Sequence, residues 1–336
     1  MAQSRSQLHP VNDVLRELAI DLDPGQKGFI ADKIFSDAGA VIDMTPYGRN
    51  ATVLIDGVAP YLGNADLDLR RAADAPRKAQ RGGETTSLAI AINEYAIEES
   101  IDRLTEIDAQ LPGDEERRAM RRVMNTLMIA REERCADLFF GAANWTNQAV
   151  AAFGPAAWNA AAGTPLSDLS LLQETIHDAS GGHMPDTLIM DFAVLRAVSK
   201  NPEVRSVING GGGQSVSGSL PLPDQAVIGL LESFLGLRVC VARKMRNSAN
   251  VGQTATPAKI WTDSVWMGCM GGSDAIRTGA GPKLNAIAAA DFSHTALRPG
   301  VYDRANQTGR VVYGEEIGDM LRVEATLGYL LTNAIV

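Results

Sequence analysis

The sequence predicts an α+β protein of two lobes, and three observations lead there. Residues 114–140 carry the apolar spacing of one long helix, Thr86 to Asn93 alternates as a strand, and from Leu166 onward short helical and extended patterns follow one another without an internal repeat. A chain of 336 residues with 45% hydrophobic content can bury a substantial core, enough for two domains or one elaborated domain.

The first stretch, Met1 to Leu22, is polar apart from Val11, Val14, Leu15, Leu18 and Leu22, and reads as a surface helix or as an arm that orders against a neighbour. Asp21 and Asp23 have the spacing that opens a calcium loop. Gln26 stands where that loop needs glycine and Asp32 where it needs a bidentate glutamate, so the calcium reading is rejected. Val41 to Val58 is extended, punctuated by Pro46, Gly48 and Gly57. Pro60 to Gly83 has few large apolar residues and is dense in Asp, Arg and Ala, including Arg70, Arg71, Arg77, Lys78 and Arg81. Such a coreless stretch is uncommon inside a compact domain, so it is either disordered or a limb that packs outside its own subunit. The strand that follows puts Leu88, Ile90 and Ile92 on one face, and with Leu67 and Leu69 on an outgoing arm the whole reads as a long hairpin. Glu94 to Asp108 is expected to be helical and to lead into the Pro112–Gly113 break.

The long helix carries Met120, Val123, Met124, Leu127, Met128, Cys135, Leu138 and Phe139 on one stripe. Asp114 is placed to cap it, Glu115 and Glu116 suit the positive end of its dipole, and Gly141 supplies the stop. At about 39 Å it would act as a strut across the molecule. Arg131 interrupts the stripe; its stem is expected to pack while its head finds a carboxylate, from this chain or from another subunit. Arg117 with Arg121, and Arg118 with Arg122, are like-charge pairs at i and i+4, which cost a few tenths of a kcal/mol each in an isolated helix. Together with the basic limb, they fit a subunit whose charges are matched across contacts with copies of itself.

After Gly141, Trp145, Phe153 and Trp158 are the expected anchors of an Ala-rich irregular stretch. Ser167 is placed to cap a helix carrying Leu171, Leu172 and Ile176; Asp186 to Met190 is a buried strand; Asp191 caps a helix from Phe192 to Lys200 that ends before Pro202. Ser206 to Pro223 is a Gly/Ser-rich loop, Asp224 caps a helix through Phe234, and Leu237 to Ala242 is a strand. Lys259 to Met270 gives two extended pieces, and strands are expected near Arg310 to Tyr313 and Leu321 to Leu331.

Chemistry is sparse. A net charge of −9 argues against general nucleic-acid binding, which needs surplus Lys and Arg. Cys135, Cys240 and Cys269 are odd in number and widely spaced, so free thiols are expected. His9, His177, His183 and His294 fit no metal-ligand spacing, and Gly210 to Gly213 lacks the strand before and the Lys-Ser/Thr after that a phosphate loop requires. Ser215, Ser217 and Ser219 show no nucleophile-elbow spacing, and the carboxylate pairs Glu98/Asp102 and Asp102/Glu106 read as a solvated helix face. No catalytic, metal or cofactor site is expected. With no bilayer-spanning apolar run and no signal-peptide layout, the chain is expected to be soluble and made in the cytoplasm.

The order of these features resembles the major capsid proteins of tailed double-stranded DNA bacteriophages, with the Hong Kong phage capsid fold. GQKGFIADKIFSDAGAV looks like the start of that family's arm, with Phe29, Ile30, Ala31 and Phe35 in place and Ser36 departing from a commonly seen Pro. Ala59 to Asn93 looks like its extended loop, and Asp114 to Phe140, with the Arg131-Glu132 pair, like its spine helix. WNAAAGTPLSDL is similar to the turn into the axial domain. MPDTLIMDFAVLRAVSKNPEVRSVI matches the family's run of Pro, strand, helix and Asn-Pro, although Asp186 replaces the usual Asn. ESFLGLRVCVARKMRNSANVGQ, KIWTDSVWM and GYLLTNAIV resemble the later strands, so the correspondence runs along nearly the whole chain.

The resemblance implies an N-terminal arm (1–58), an extended loop (59–93), a peripheral domain (94–165 and 286–317) with a spine helix at 114–140, and an axial domain (166–285 and 318–336). It implies a non-enzymatic shell protein that binds itself in hexamers and pentamers and encloses packaged double-stranded DNA without sequence-specific contacts. A scaffolding protein and a portal are the implied partners, no membrane is involved, and the virion capsid is the implied location. On this reading Arg70, Arg71, Arg77, Lys78, Arg81, Arg117, Arg118, Arg121, Arg122 and Arg131 are the candidate intersubunit contacts. The encapsulin nanocompartment shell is the related alternative; a soluble α+β enzyme with a site near Ser206 to Pro223 is the alternative from another class.

Overall fold

A computed structural model describes residues 28–56, 85–102, 114–149, 157–208, 222–250, 252–271, 276–278, 281–285, 287–303 and 309–335. The segment Met1 to Leu22, the limb with Leu67 and Leu69, and the Gly210 to Gly213 run lie outside them. In chain order the elements are α1 (Ala31–Ala38), β1 (Val41–Asp43), β2 (Asn50–Asp56), β3 (Thr85–Ala91), β4 (Glu94–Asp102), the spine helix α2 (Asp114–Phe140), β5 (Asn147–Ala149) and α3 (Pro165–Ala179). They continue with β6 (Thr187–Asp191), α4 (Phe192–Lys200), α5 (Pro202–Ile208), α6 (Asp224–Leu235), β7 (Arg238–Ala242), β8 (Met245–Asn247), β9 (Pro257–Lys259) and β10 (Val265–Gly268). The chain closes with β11 (Ile276–Thr278), β12 (Gly281–Asn285), β13 (Ala289–Asp303), β14 (Gly309–Arg322) and β15 (Gly328–Leu331).

One lobe is built on the long antiparallel pair β13 and β14, flanked by β1 and β4 in the order β1-β13-β14-β4. β14 runs unbroken to Arg322, past residue 317 where the sequence reading divides the lobes. The stretch expected as a helix after Asn93 is the strand β4, paired antiparallel with β14 from Glu94 opposite Ile317 to Asp102 opposite Gly309. Ile97 and Ile101 are four apart, as on a helix, but a period of two also places them on one face. Ile101 enters a buried cluster with Ala119, Met120, Val123 and Val312, and Ile97 packs at its margin. The other face of β4 carries Glu94, Ala96, Glu98, Ser100 and Asp102, all exposed. α2 lies across the sheet where Gly314 leaves room: a Cβ there would stand 2.6 Å from Leu127 Cδ1 and 3.0 Å from Val123 Cγ1.

The second lobe holds the five-stranded sheet β5-β15-β10-β6-β7. β6, β10 and β15 are buried along their whole length, which is why Thr187–Asp191 reads as an apolar run without alternation. α3 packs on β10 and β15, α4 on β6 and β7, and α6 on β7. Asp191 caps α4 by accepting the N–H of Ala193 at 3.1 Å. Two expected caps differ. Ser167 lies inside α3, whose first turn is capped by the Glu203 carboxylate, which accepts Leu166 N–H at 2.9 Å and Ser167 N–H at 3.3 Å. Asp224 is the first residue of α6, after Pro223, and bonds to no N–H of its own first turn.

The lobes meet in a continuous core. Phe139 at the end of α2 lies 5.8 Å from Phe35 of α1 and 4.6 Å from Trp266 of β10, ring centre to ring centre, and Trp145 stands 5.2 Å from Trp266. Gly268 and Gly328 give these indoles their space, since a Cβ on either would meet ring atoms. β2 and β3 form an antiparallel ladder from Asn50 opposite Ala91 to Asp56 opposite Thr85 and join β12 and β11 in a third sheet. Asp56 and Thr85, the described residues on either side of 57–84, are thus paired.

Candidate functional site

The polar chemistry of the described residues concentrates on the spine helix. Arg131 and Glu132 are consecutive, both buried, and serve different neighbours. The Arg131 guanidinium donates to Asp32 of α1 at 2.7 Å, to Asp291 of β13 at 2.6 Å, and to Glu316 of β14. One turn on, Arg134 donates to Glu316 at 2.8 Å and lies over the Tyr95 ring, 3.6 Å from its centre. Tyr95 in turn donates to Asp319 at 2.8 Å, and Asn93 donates to the same carboxylate at 2.7 Å.

Glu132 accepts the backbone N–H groups of Ile30 and Ala31 at 3.1 and 3.0 Å and the indole N–H of Trp261 at 2.7 Å. It thereby pins the start of α1 and the β9–β10 connection to the helix. Burial pushes its carboxyl pKa up, opposed by those three donors. Burial likewise raises Asp291, with Arg131 opposing it. For Arg131 burial acts downward, but Asp291, Asp32 and Glu316 outweigh it and hold the cation above its ordinary range. Cys135, Cys240 and Cys269 are free and buried, and burial raises each thiol, Cys269 to about 12, so none is poised as a nucleophile.

Among the arginines singled out from the sequence, Arg131 is tied within its own chain: its three carboxylates come from that chain and its side chain is only 10% exposed. Arg122 makes a forked contact to Glu99 of β4, at 2.6 and 3.1 Å, and Arg118 reaches Glu115 at 2.9 Å; both remain more than half exposed. Arg117 and Arg121 are exposed, and among the described residues no carboxylate pairs with either. Arg70, Arg71, Arg77, Lys78 and Arg81 lie outside the described residues. Asp291 and Glu316 went unnoticed in the sequence because they stand 160 and 185 positions from Arg131. Among the described residues no three His, Cys, Asp or Glu side chains are grouped as metal ligands.

A helix strutted across a long strand pair and a second lobe with a buried sheet between helices make up the fold of tailed-phage major capsid proteins, as the sequence resemblance implied. Solved structures of similar fold include a phage-related protein from Bordetella bronchiseptica, with a TM-score of 0.64 at 20% identity, covering 97% of this chain and 98% of that one. The mature capsid of bacteriophage PhiM1 is similar at a TM-score of 0.53 and 8% identity, over 87% of this chain and 84% of that one. A virus-like particle from Pyrococcus furiosus is similar at 0.50 and 10% identity, over 95% and 98%. No protein-family profile matches the sequence. No curated protein sequence matches it.

Proposed function

We propose that this chain is a major capsid protein, a non-enzymatic shell subunit that assembles through pentamers and hexamers into an icosahedral container for the double-stranded DNA of a tailed phage. The observation that carries the reading is the extent of the fold likeness, which takes in nearly the full length of this chain and of phage-derived neighbours. Residues 59–93 act as a limb laid over an adjacent subunit, with Arg70, Arg71, Arg77, Lys78 and Arg81 as its contacts. Arg117, Arg118, Arg121 and Arg122 on the exposed face of α2 supply further charges for neighbours. A net charge of −9 suits a wall from which packaged DNA must separate freely. Scaffolding protein and portal are its partners during assembly in the host, and the virion capsid is its final location.

The second reading is a nanocompartment shell of the encapsulin kind, favoured by the likeness to the Pyrococcus furiosus particle. Negative-stain electron microscopy with size-exclusion mass, on the chain alone and with its neighbouring genes, tests both. Closed shells or hexamer and pentamer rings are expected, holding nucleic acid on the first reading and cargo protein on the second. A stable monomer or small dimer under both conditions overturns the shell assignment.

A further inference from the structure

β6 and β7 run parallel with Asp191 opposite Ala242, so the residues that follow, Phe192 and Arg243, emerge side by side past the carboxyl ends of the two strands. Parallel strands present their ligand contacts at such ends. Arg196 stands one turn further along α4, and α6, packed on α4, begins at Asp224. These four residues make one group. The guanidinium carbons of Arg196 and Arg243 both lie 5.0 Å from the centre of the Phe192 ring. Both arginines turn toward the single carboxylate of Asp224, at 3.6 and 3.4 Å.

That carboxylate does not saturate them. A well-made bond between guanidinium and carboxylate is about 2.7–2.9 Å long and often forked, and Arg131 and Arg122 make theirs at 2.7 and 2.6 Å. Here the contacts are longer, and Asp224 Oδ1 is buried without a hydrogen bond. Among the described residues, of all the guanidinium N–H groups of the pair only one, on Arg243, has an acceptor. Arg196 and Arg243 remain 41% and 47% exposed. Lys259, the cation beside Asp191, differs, since it lies between Asp191 and Asp263 at 3.2 and 2.7 Å. Two cations against one anion leave the group with an excess positive charge, and its planar donor forks are held on an aromatic ring and open to solvent. A carboxylate has oxygens for one fork; a tetrahedral phosphate has oxygens for two forks that arrive from different elements. We infer that Arg196 and Arg243, seated on Phe192, form a binding site for a phosphate group, carried by a nucleic-acid backbone or by a small molecule. The inference is independent of the shell reading, because it concerns a ligand and not a contact between copies.

The test uses the full-length chain and two probes: inorganic phosphate, followed by calorimetry, and a fluorescein-labelled single-stranded oligonucleotide, followed by anisotropy. Arg196→Gln and Arg243→Gln are each expected to weaken binding about tenfold, as the loss of a charge-assisted pair does. Asp224→Asn is expected to tighten it several-fold, because the internal competitor for both forks loses its charge. Asp224 bonds to no N–H of the first turn of α6, so this exchange removes no cap. Arg122→Gln removes an exposed arginine elsewhere and is expected to change nothing. Circular dichroism checks the fold of each variant. Binding of inorganic phosphate at these residues identifies a site open to small phosphate-bearing ligands; binding of the oligonucleotide alone identifies the nucleic-acid backbone as the source. Wild type that binds neither probe overturns the inference. So does binding that survives both arginine exchanges, an equal loss in Arg122→Gln, or an affinity of Asp224→Asn at or below the wild-type level.

Discussion

Trp261 and Glu132 meet at 2.7 Å, an indole N–H from the β9–β10 connection donating to a carboxylate in the middle of the spine helix. The same carboxylate holds the first backbone N–H groups of α1, so one side chain ties three parts of the chain together.

Trp261→Phe keeps most of the ring volume and removes that donor. A hydrogen bond to a charged group contributes about 1.5–3 kcal/mol, and the variant is expected to lose stability by that amount in urea unfolding. A loss below about 0.5 kcal/mol would show that the contact is incidental.

Glu132 predicts a pH effect of definite sign. Burial raises its carboxyl above the ordinary 4.5, so the folded chain holds the proton more tightly than the unfolded one. Its contribution is full below 4.5 and is lost as pH rises through the folded value. Wild type is therefore expected to gain stability over Glu132→Gln as the pH falls from 7 toward 4.5. Urea unfolding of the two proteins at pH 7, 6 and 5 measures the difference; a gap that stays flat or moves against wild type refutes the assignment.

Arg131→Met keeps an unbranched stem but leaves Asp291 and Glu316 buried without their shared cation. Breaking a buried ion pair by removing one partner costs roughly 3–5 kcal/mol. Adding Asp291→Asn to the same chain is expected to restore part of the loss, because one uncompensated carboxylate is then gone. Equilibrium unfolding of the single and double variants decides it, and an undiminished loss in the double variant excludes charge as the cause.

Gly314→Val tests how closely α2 sits on its sheet. Leu127 Cδ1 and Val123 Cγ1 occupy the space that a side chain at this position needs. The helix must lift or its side chains must leave their rotamers, at about 1–3 kcal/mol. Thermal unfolding of the variant reads this directly, and an unchanged midpoint would mean that the interface is looser than the contacts indicate.

The spine helix was legible because 27 residues repeat one period between a break and a glycine. Buried strands such as Thr187–Asp191 were legible because both of their faces are apolar. β4 was not, since Ile97 and Ile101, with Glu98 and Asp102, satisfy a spacing of four as well as a spacing of two. What decides between them is β14, more than 200 positions away, whose open edge needs a partner. The cap of α3 was misplaced for a similar reason: Glu203 reaches it from 36 to 37 residues downstream. The cluster around Arg131 shows the same limit. Its need for carboxylates could be read locally, but Asp32, Asp291 and Glu316 are assembled only by the fold.

Five residues, Val323 to Leu327, separate β14 from β15, and the N–H groups of Val323 and Glu324 both bond to the carbonyl of Ala288, just ahead of β13. The incoming and outgoing strands of the helix-backed lobe are thus stapled together at the point where the chain crosses to the other lobe. Because the bonds are between backbone groups, the spacing of the two long strands at that crossing does not depend on which side chains stand there.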